Sequence, residues 1–138
     1  MKPYEWIDHT ADVGVRAFGK TLGELFRNAA LGMFEIIADL DTVGTTEIRE
    51  IGLCAETVEE LYILWHQELL FRSAVDGVVY KEFVFKEISQ RGLLASIHGA
   101  KFDPDKQSLK KEIKAVTYHA LKVERTKDGW VGEVIFDI

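Results

Sequence analysis

From Leu22 to Ile37 the apolar residues fall three and four apart: Leu22, Leu25, Phe26, Ala29, Ala30, Met33, Phe34 and Ile37. An α-helix brings such positions to one side, and a stripe this wide must be covered by other parts of the chain. Thr21 and Glu24 stand ahead of it at capping-box spacing, so a hydroxyl can accept a free N–H of the first turn and a carboxylate can reach back. Thr57 and Glu60 repeat that spacing. They predict a second helix carrying Val58, Leu61, Tyr62, Leu64, Trp65, Leu69 and Leu70 and ending at Asp76-Gly77, where glycine tolerates a left-handed cap. Its apolar face is broad. That implies burial on more than one side, or a part offered to a partner.

The cover for these helices is predicted to be β-structure. Tyr4 to His9 is a short strand, and Val13 to Phe18 alternates apolar with small or polar residues as a half-buried strand does. Ile48, Ile51 and Leu53 suggest another strand after a turn at Asp39 to Gly44. Val79 to Ile88 and Leu93 to Phe102 form a hairpin about Gln90-Arg91-Gly92. Lys114 to Arg125 and Trp130 to Asp137 form a second hairpin, turning at Lys127-Asp128-Gly129. The order β-β-α-β-α-β-β-β-β argues for an α+β fold with two helices packed on a largely antiparallel sheet. At 138 residues the expectation is a single domain over 1–138.

The formal net charge of -6 disfavours broad binding to phosphate backbones, so little or no direct RNA binding is expected. Cys54 is the only cysteine, which excludes an internal disulfide and a Cys-based zinc site; a small buried hydrophobe is the reading favoured for it. No apolar leader or run of ~18 apolar residues is present, and the cytoplasm is the expected compartment. His9, His66, His98 and His119 lack metal-ligand spacing, and His66 reads as structural or surface. Phosphate-binding loops and a nucleophile elbow are absent from the sequence. A hydrolase built on Asp12 and His9 would lack a nucleophile, and no enzymatic activity is expected.

Three places remain as candidates for function. Asp8-His9-Thr10-Ala11-Asp12 puts two carboxylates and an imidazole between two strands. It can bind a hard cation through oxygen ligands, or be an exposed turn whose aspartates cap backbone N–H groups. The chain closes on Val134-Ile135-Phe136-Asp137-Ile138, an apolar strand running to the last residue. If that end is docked, Asp137 and the α-carboxylate of Ile138 form a fixed pair of oxygen ligands; if it frays, they do not. Lys114, on a strand, can meet a phosphate or carboxylate, or be a solvated edge lysine. Upstream, Lys101, Lys106, Lys110 and Lys111 make a modest basic patch or a solvated loop.

Tyr4-Glu5-Trp6-Ile7-Asp8-His9-Thr10-Ala11-Asp12-Val13 closely resembles the opening motif of the archease family. The resemblance continues through Leu25 to Phe34, resumes at Ile113-Lys114-Ala115-Val116-Thr117-Tyr118-His119, and closes on Phe136-Asp137-Ile138. These blocks keep their order across nearly the whole chain. The resemblance implies an accessory protein in tRNA splicing that promotes guanylylation and turnover of an RtcB-type RNA ligase without joining RNA itself. A chaperone-like role toward RNA-modifying enzymes such as tRNA methyltransferases is also implied. It further implies a divalent metal, calcium first with magnesium or manganese as alternatives, held by Asp12, Asp137 and Ile138. Lys114 matches a lysine implicated in activation, and Asp8 and His9 are partner-contact candidates. The sequence departs from the pattern at Gly99-Ala100, where Gly-Glu is expected, and at Lys106-Gln107, where a basic residue and His are expected. Asp103 or Asp105 are the candidate replacements.

Overall fold

The computed structural model describes residues 2–8, 11–105, 107 and 109–138. The elements are β1 (Tyr4–Asp8), β2 (Asp12–Gly19), α1 (Leu22–Ile37), a 3-10 turn (Leu40–Thr42), β3 (Glu47–Cys54), α2 (Val58–Asp76), β4 (Val78–Ser89), β5 (Gly92–Lys101), β6 (Ala115–Thr126) and β7 (Gly129–Asp137). This is the predicted order and the predicted α+β class. Both helix starts are as expected: Thr21 Oγ1 accepts from Glu24 N–H, and Thr57 Oγ1 from Glu60 N–H, each at 3.1 Å. Helix α2 ends on Gly77 at φ 66°, a backbone conformation that suits glycine.

The antiparallel sheet is two sheets. Four strands run in the order β1-β2-β7-β6 and three in the order β3-β5-β4. The helices lie between them. Helix α1 packs on β2 and β7 on one side and on β4 on the other; α2 packs on β6 and on β3 and β4. This explains the broad apolar face of α2. Leu61, Tyr62, Ile63, Trp65, His66 and Leu69 are all buried, and no single stripe contains them. A helix covered by two sheets needs no polar side. Polar atoms in this interior find backbone partners: the Trp65 indole N–H donates to the Phe26 carbonyl at 3.0 Å. The His66 imidazole meets the Tyr62 carbonyl at 2.8 Å, which makes Nδ1 the protonated nitrogen. Among the described residues no helix is long and apolar enough to cross a membrane.

One local expectation is corrected. Cys54 is exposed rather than buried. Ile51 and Leu53 face the helices, so Gly52 and Cys54, of opposite parity, face out. Ile48 shares that outward parity and is 54% exposed.

Candidate functional site

The two ends of the chain meet at one end of the four-stranded sheet. Strands β2 and β7 are antiparallel, and their last rung pairs Asp12 with Asp137. In an antiparallel pair, directly opposed side chains share a face, with Cβ atoms about 4.5–5.5 Å apart. Val13 and Phe136, on the next rung, are buried toward the helices. The alternation therefore turns Asp12 and Asp137 to the outer face of the sheet. Asp12 is half-buried and Asp137 exposed. The chain continues past this rung in order: the Ile138 N–H donates to the Ala11 carbonyl at 3.3 Å, and the Ile138 side chain packs against the core. The C-terminus is docked, not frayed.

Strand β6 arrives at the same place from the other edge of β7. Ala115 pairs with Asp137, and the Lys114 N–H donates to the Asp137 carbonyl at 2.8 Å. The Lys114 side chain is exposed and lies along α2, in a groove with Leu70, Phe71 and Ala74. It makes no ion pair with any described residue.

The Asp8-to-Asp12 motif is split by its own hairpin. Asp8 pairs with Val13, whose side chain faces the helices, so Asp8 sits on the opposite face of the sheet from Asp12. There it lines a cavity of about 200 Å³ with Trp6, Glu35, Ile36, Lys110 and Lys111. Burial holds the Glu35 carboxyl above its ordinary range, assisted by Asp39 and Asp41 and opposed by Lys110. Lys110 is exposed but not without partners. Its ammonium donates to the Glu35 carbonyl at 2.7 Å and stands 5.6 Å from the Trp6 ring centroid. His9 and Lys106 lie outside the described residues.

Gln107 and Ala100, which depart from the family pattern, have defined places in the fold. The Gln107 amide donates to the Thr42 carbonyl at 2.6 Å and its oxygen accepts from Asp103 N–H at 3.0 Å, so it ties its loop to the turn after α1. The Asp103 carboxylate accepts from Asp105 N–H at 2.9 Å. Ala100 sits in β5 opposite Val79. Among the described residues, no three His, Cys, Asp or Glu side chains gather into a metal-binding group.

Two further features carried no sequence signal of their own. Between Thr117 and Lys122 the register of β6 on β7 slips in a bulge that presents Tyr118, 65% exposed, and His119. The Thr117 hydroxyl secures it, donating to the Ile135 carbonyl and accepting from His119 N–H. Within it Ala120 adopts φ 50°, rare for a residue with a side chain. The second is the exposure of Phe71 and Val75 at the end of α2.

Two helices held between antiparallel sheets, with the chain ends joined at an acidic rung, define an α+β class shared with known proteins. The Archease protein family (MTH1598/TM1083) model matches residues 4–138, and the chain belongs to the archease family. It is 40% identical to Protein archease of Methanosarcina barkeri over 99% of this chain and 97% of that one. It is 37% identical to Protein archease of Pyrococcus abyssi over the full length of both. The solution structure of Methanobacterium thermoautotrophicum protein 1598 superposes with a TM-score of 0.86 at 31% identity, covering 100% of both chains. The crystal structure of an archease from Thermotoga maritima, described as a possible chaperone, gives 0.66 at 26% identity over 96% of this chain and 94% of that one.

Proposed function

We propose that this protein is a non-catalytic, cytoplasmic activator of an RtcB-type tRNA-splicing RNA ligase, promoting guanylylation and turnover of the ligase through a metal-bearing acidic tip. The observation that carries this reading is the rung on which Asp12 faces Asp137. Like charges directly opposite on a sheet are destabilising, and a cation shared between them reverses the sign. Asp12, Asp137 and the terminal carboxylate of Ile138 would hold the ion. These donors are hard oxygens, which fits calcium, with magnesium or manganese as alternatives, and does not fit a thiolate-seeking metal.

When bound, the ion supplies a positive charge able to neutralise phosphate oxygens. The chain's own residues do the positioning. Pairing of β2 with β7 fixes the two carboxylates, and the bond from Ile138 N–H to the Ala11 carbonyl anchors the end of the chain. The bond from Lys114 N–H to the Asp137 carbonyl sets β6 beside them and brings a second positive group to that end of the molecule. Asp8, at the end of β1, is a partner-contact candidate, as is His9, which lies outside the described residues. The net charge of -6 suits a protein that leaves RNA to the ligase. The test is the rate of ligase guanylylation by GTP with and without this protein. Stimulation at substoichiometric amounts supports the reading, and an unchanged rate removes it.

A second reading, a chaperone-like module for RNA-modifying enzymes such as tRNA methyltransferases, is favoured by the exposed Phe71 and Val75. Binding to a methyltransferase that persists in chelator, with no ligase binding, would select it.

A further inference from the structure

Beyond the acidic rung the surface changes character. Phe71 and Val75, one helical turn apart, are 61% and 66% exposed, although the preceding turns of α2 are buried between the sheets. A groove runs between this end of α2 and the start of β6, walled by Leu70, Phe71, Ala74, Ile113 and Val116. Among the described residues, Lys114 is the one charged residue in its lining. Strand β6 is the terminal strand of its sheet, so among the described residues no neighbouring strand covers that side of the groove. The groove lies at the same end of the sheet as the acidic rung but on its helix side, and the bond from the Lys114 N–H to the Asp137 carbonyl joins the two through the backbone.

An apolar trough with a solitary cation is complementary to an apolar segment that carries a carboxylate. An exposed aromatic beside that cation is the kind of residue that dominates protein interfaces. A second copy of this chain fits less well. A symmetric pairing through the groove would set Lys114 against Lys114, and two chains of net charge -6 repel.

We propose that this groove docks a segment of the partner enzyme in which an apolar side chain packs on Phe71, Ala74 and Val116 while a neighbouring carboxylate pairs with Lys114. The identity of the partner rests on the ligase reading above; the chemistry of the groove does not.

Two measurements on the full chain separate these. In the first, amide shifts are followed by NMR during titration with hexanoate and, in parallel, hexylammonium. Hexanoate is expected to move the amides of Phe71, Ala74 and Lys114, and hexylammonium to leave them unchanged. Equal responses, or none, overturn the proposed chemistry. In the second, binding to the purified ligase is measured for the parent, Phe71→Asp and Lys114→Glu. Both side chains are exposed, so melting temperatures are expected to match the parent. The dissociation constant is expected to rise at least tenfold in each variant. Parent-like binding by both overturns the docking site while leaving the ligase reading intact. Absence of parent binding, with the hexanoate response present, removes the ligase and keeps the groove. Sedimentation showing a parent dimer that Phe71→Asp dissolves would overturn the partner assignment in favour of self-association.

Discussion

Asp12 stands directly across from Asp137 on the last rung between β2 and β7, and the N–H of the next residue, Ile138, is bonded back to Ala11. The first strands and the last residues of the chain thus form one end of one sheet. Two carboxylates are brought onto a common face without any loop to let them move apart.

This relationship predicts a stability that reverses with metal. In chelator, Asp137→Asn should be as stable as the parent or more stable, by up to about 1 kcal/mol, because a like-charge cross-strand pair is relieved, whereas Asp12→Asn, at a residue with a further interaction of its own, is compared through its calcium shift alone. With calcium at about a hundred times its dissociation constant, the parent should gain roughly 2.7 kcal/mol and the variants little. Thermal melts of the three proteins in EDTA and in calcium give the comparison. Equal calcium shifts in all three would refute the shared-ion assignment.

Acid stability should report on His66. The residue is fully buried between the helices and β7, and burial pushes its pKa down to about 4, partly offset by its hydrogen bond to the Tyr62 carbonyl. The folded pKa is below the unfolded value of about 6.5, so the unfolded chain binds the extra proton first. The stability is therefore fully present above about pH 6.5 and is lost as pH falls toward 4, by on the order of 3 kcal/mol. Denaturant titrations from pH 7 to pH 4 should show this slope, and His66→Leu should flatten it. A parent whose stability does not change over that window contradicts the assignment.

Gly99 sits where β5 passes a register shift in β4, opposite Tyr80. A Cβ there would meet the Tyr80 Cα at 2.7 Å and collide with the Val79 carbonyl. Backbone cannot move aside as a side-chain tip can, so Gly99→Ala should cost about 1–3 kcal/mol or more. Urea unfolding measures this; a loss below about 0.5 kcal/mol would show that the sheet yields there.

The bulge in β6 predicts the opposite sign for glycine. Ala120 is at φ 50°, where a side chain costs roughly 1–2 kcal/mol. Ala120→Gly should be neutral or stabilising by up to about 1 kcal/mol after the added unfolded-state entropy is subtracted. Ala95→Gly, buried in β5, should be clearly destabilising in the same denaturation assay. Equal losses at both sites would mean that the bulge is not strained.

Much of the fold was legible because it is local. The stripe of α1, the Thr21 and Thr57 caps, the Gly77 terminus and both hairpins each depend on residues close in sequence. The division into two sheets was not legible, since it depends on which strands pair across the helices. Parity decided the errors. Cys54 follows Leu53 by one residue and so faces out, and Asp8 and Asp12, though close in sequence, lie on opposite faces because the hairpin sets Asp8 against Val13. The half of the site that comes from Asp137 has no sequence neighbour near Asp12. Only the resemblance at separated blocks joined them, and the register of β2 with β7 supplies the physical reason.

The central claim is that the Asp12–Asp137 rung is the part of this protein the ligase uses. Its most direct test is the rate of ligase guanylylation with parent, Asp12→Ala and Asp137→Ala proteins at equal concentration, each first confirmed folded by its melt. The account predicts strong stimulation by the parent and loss of at least nine-tenths of it in both variants, about 1.4 kcal/mol or more of lost coupling. Full stimulation by both variants would contradict it.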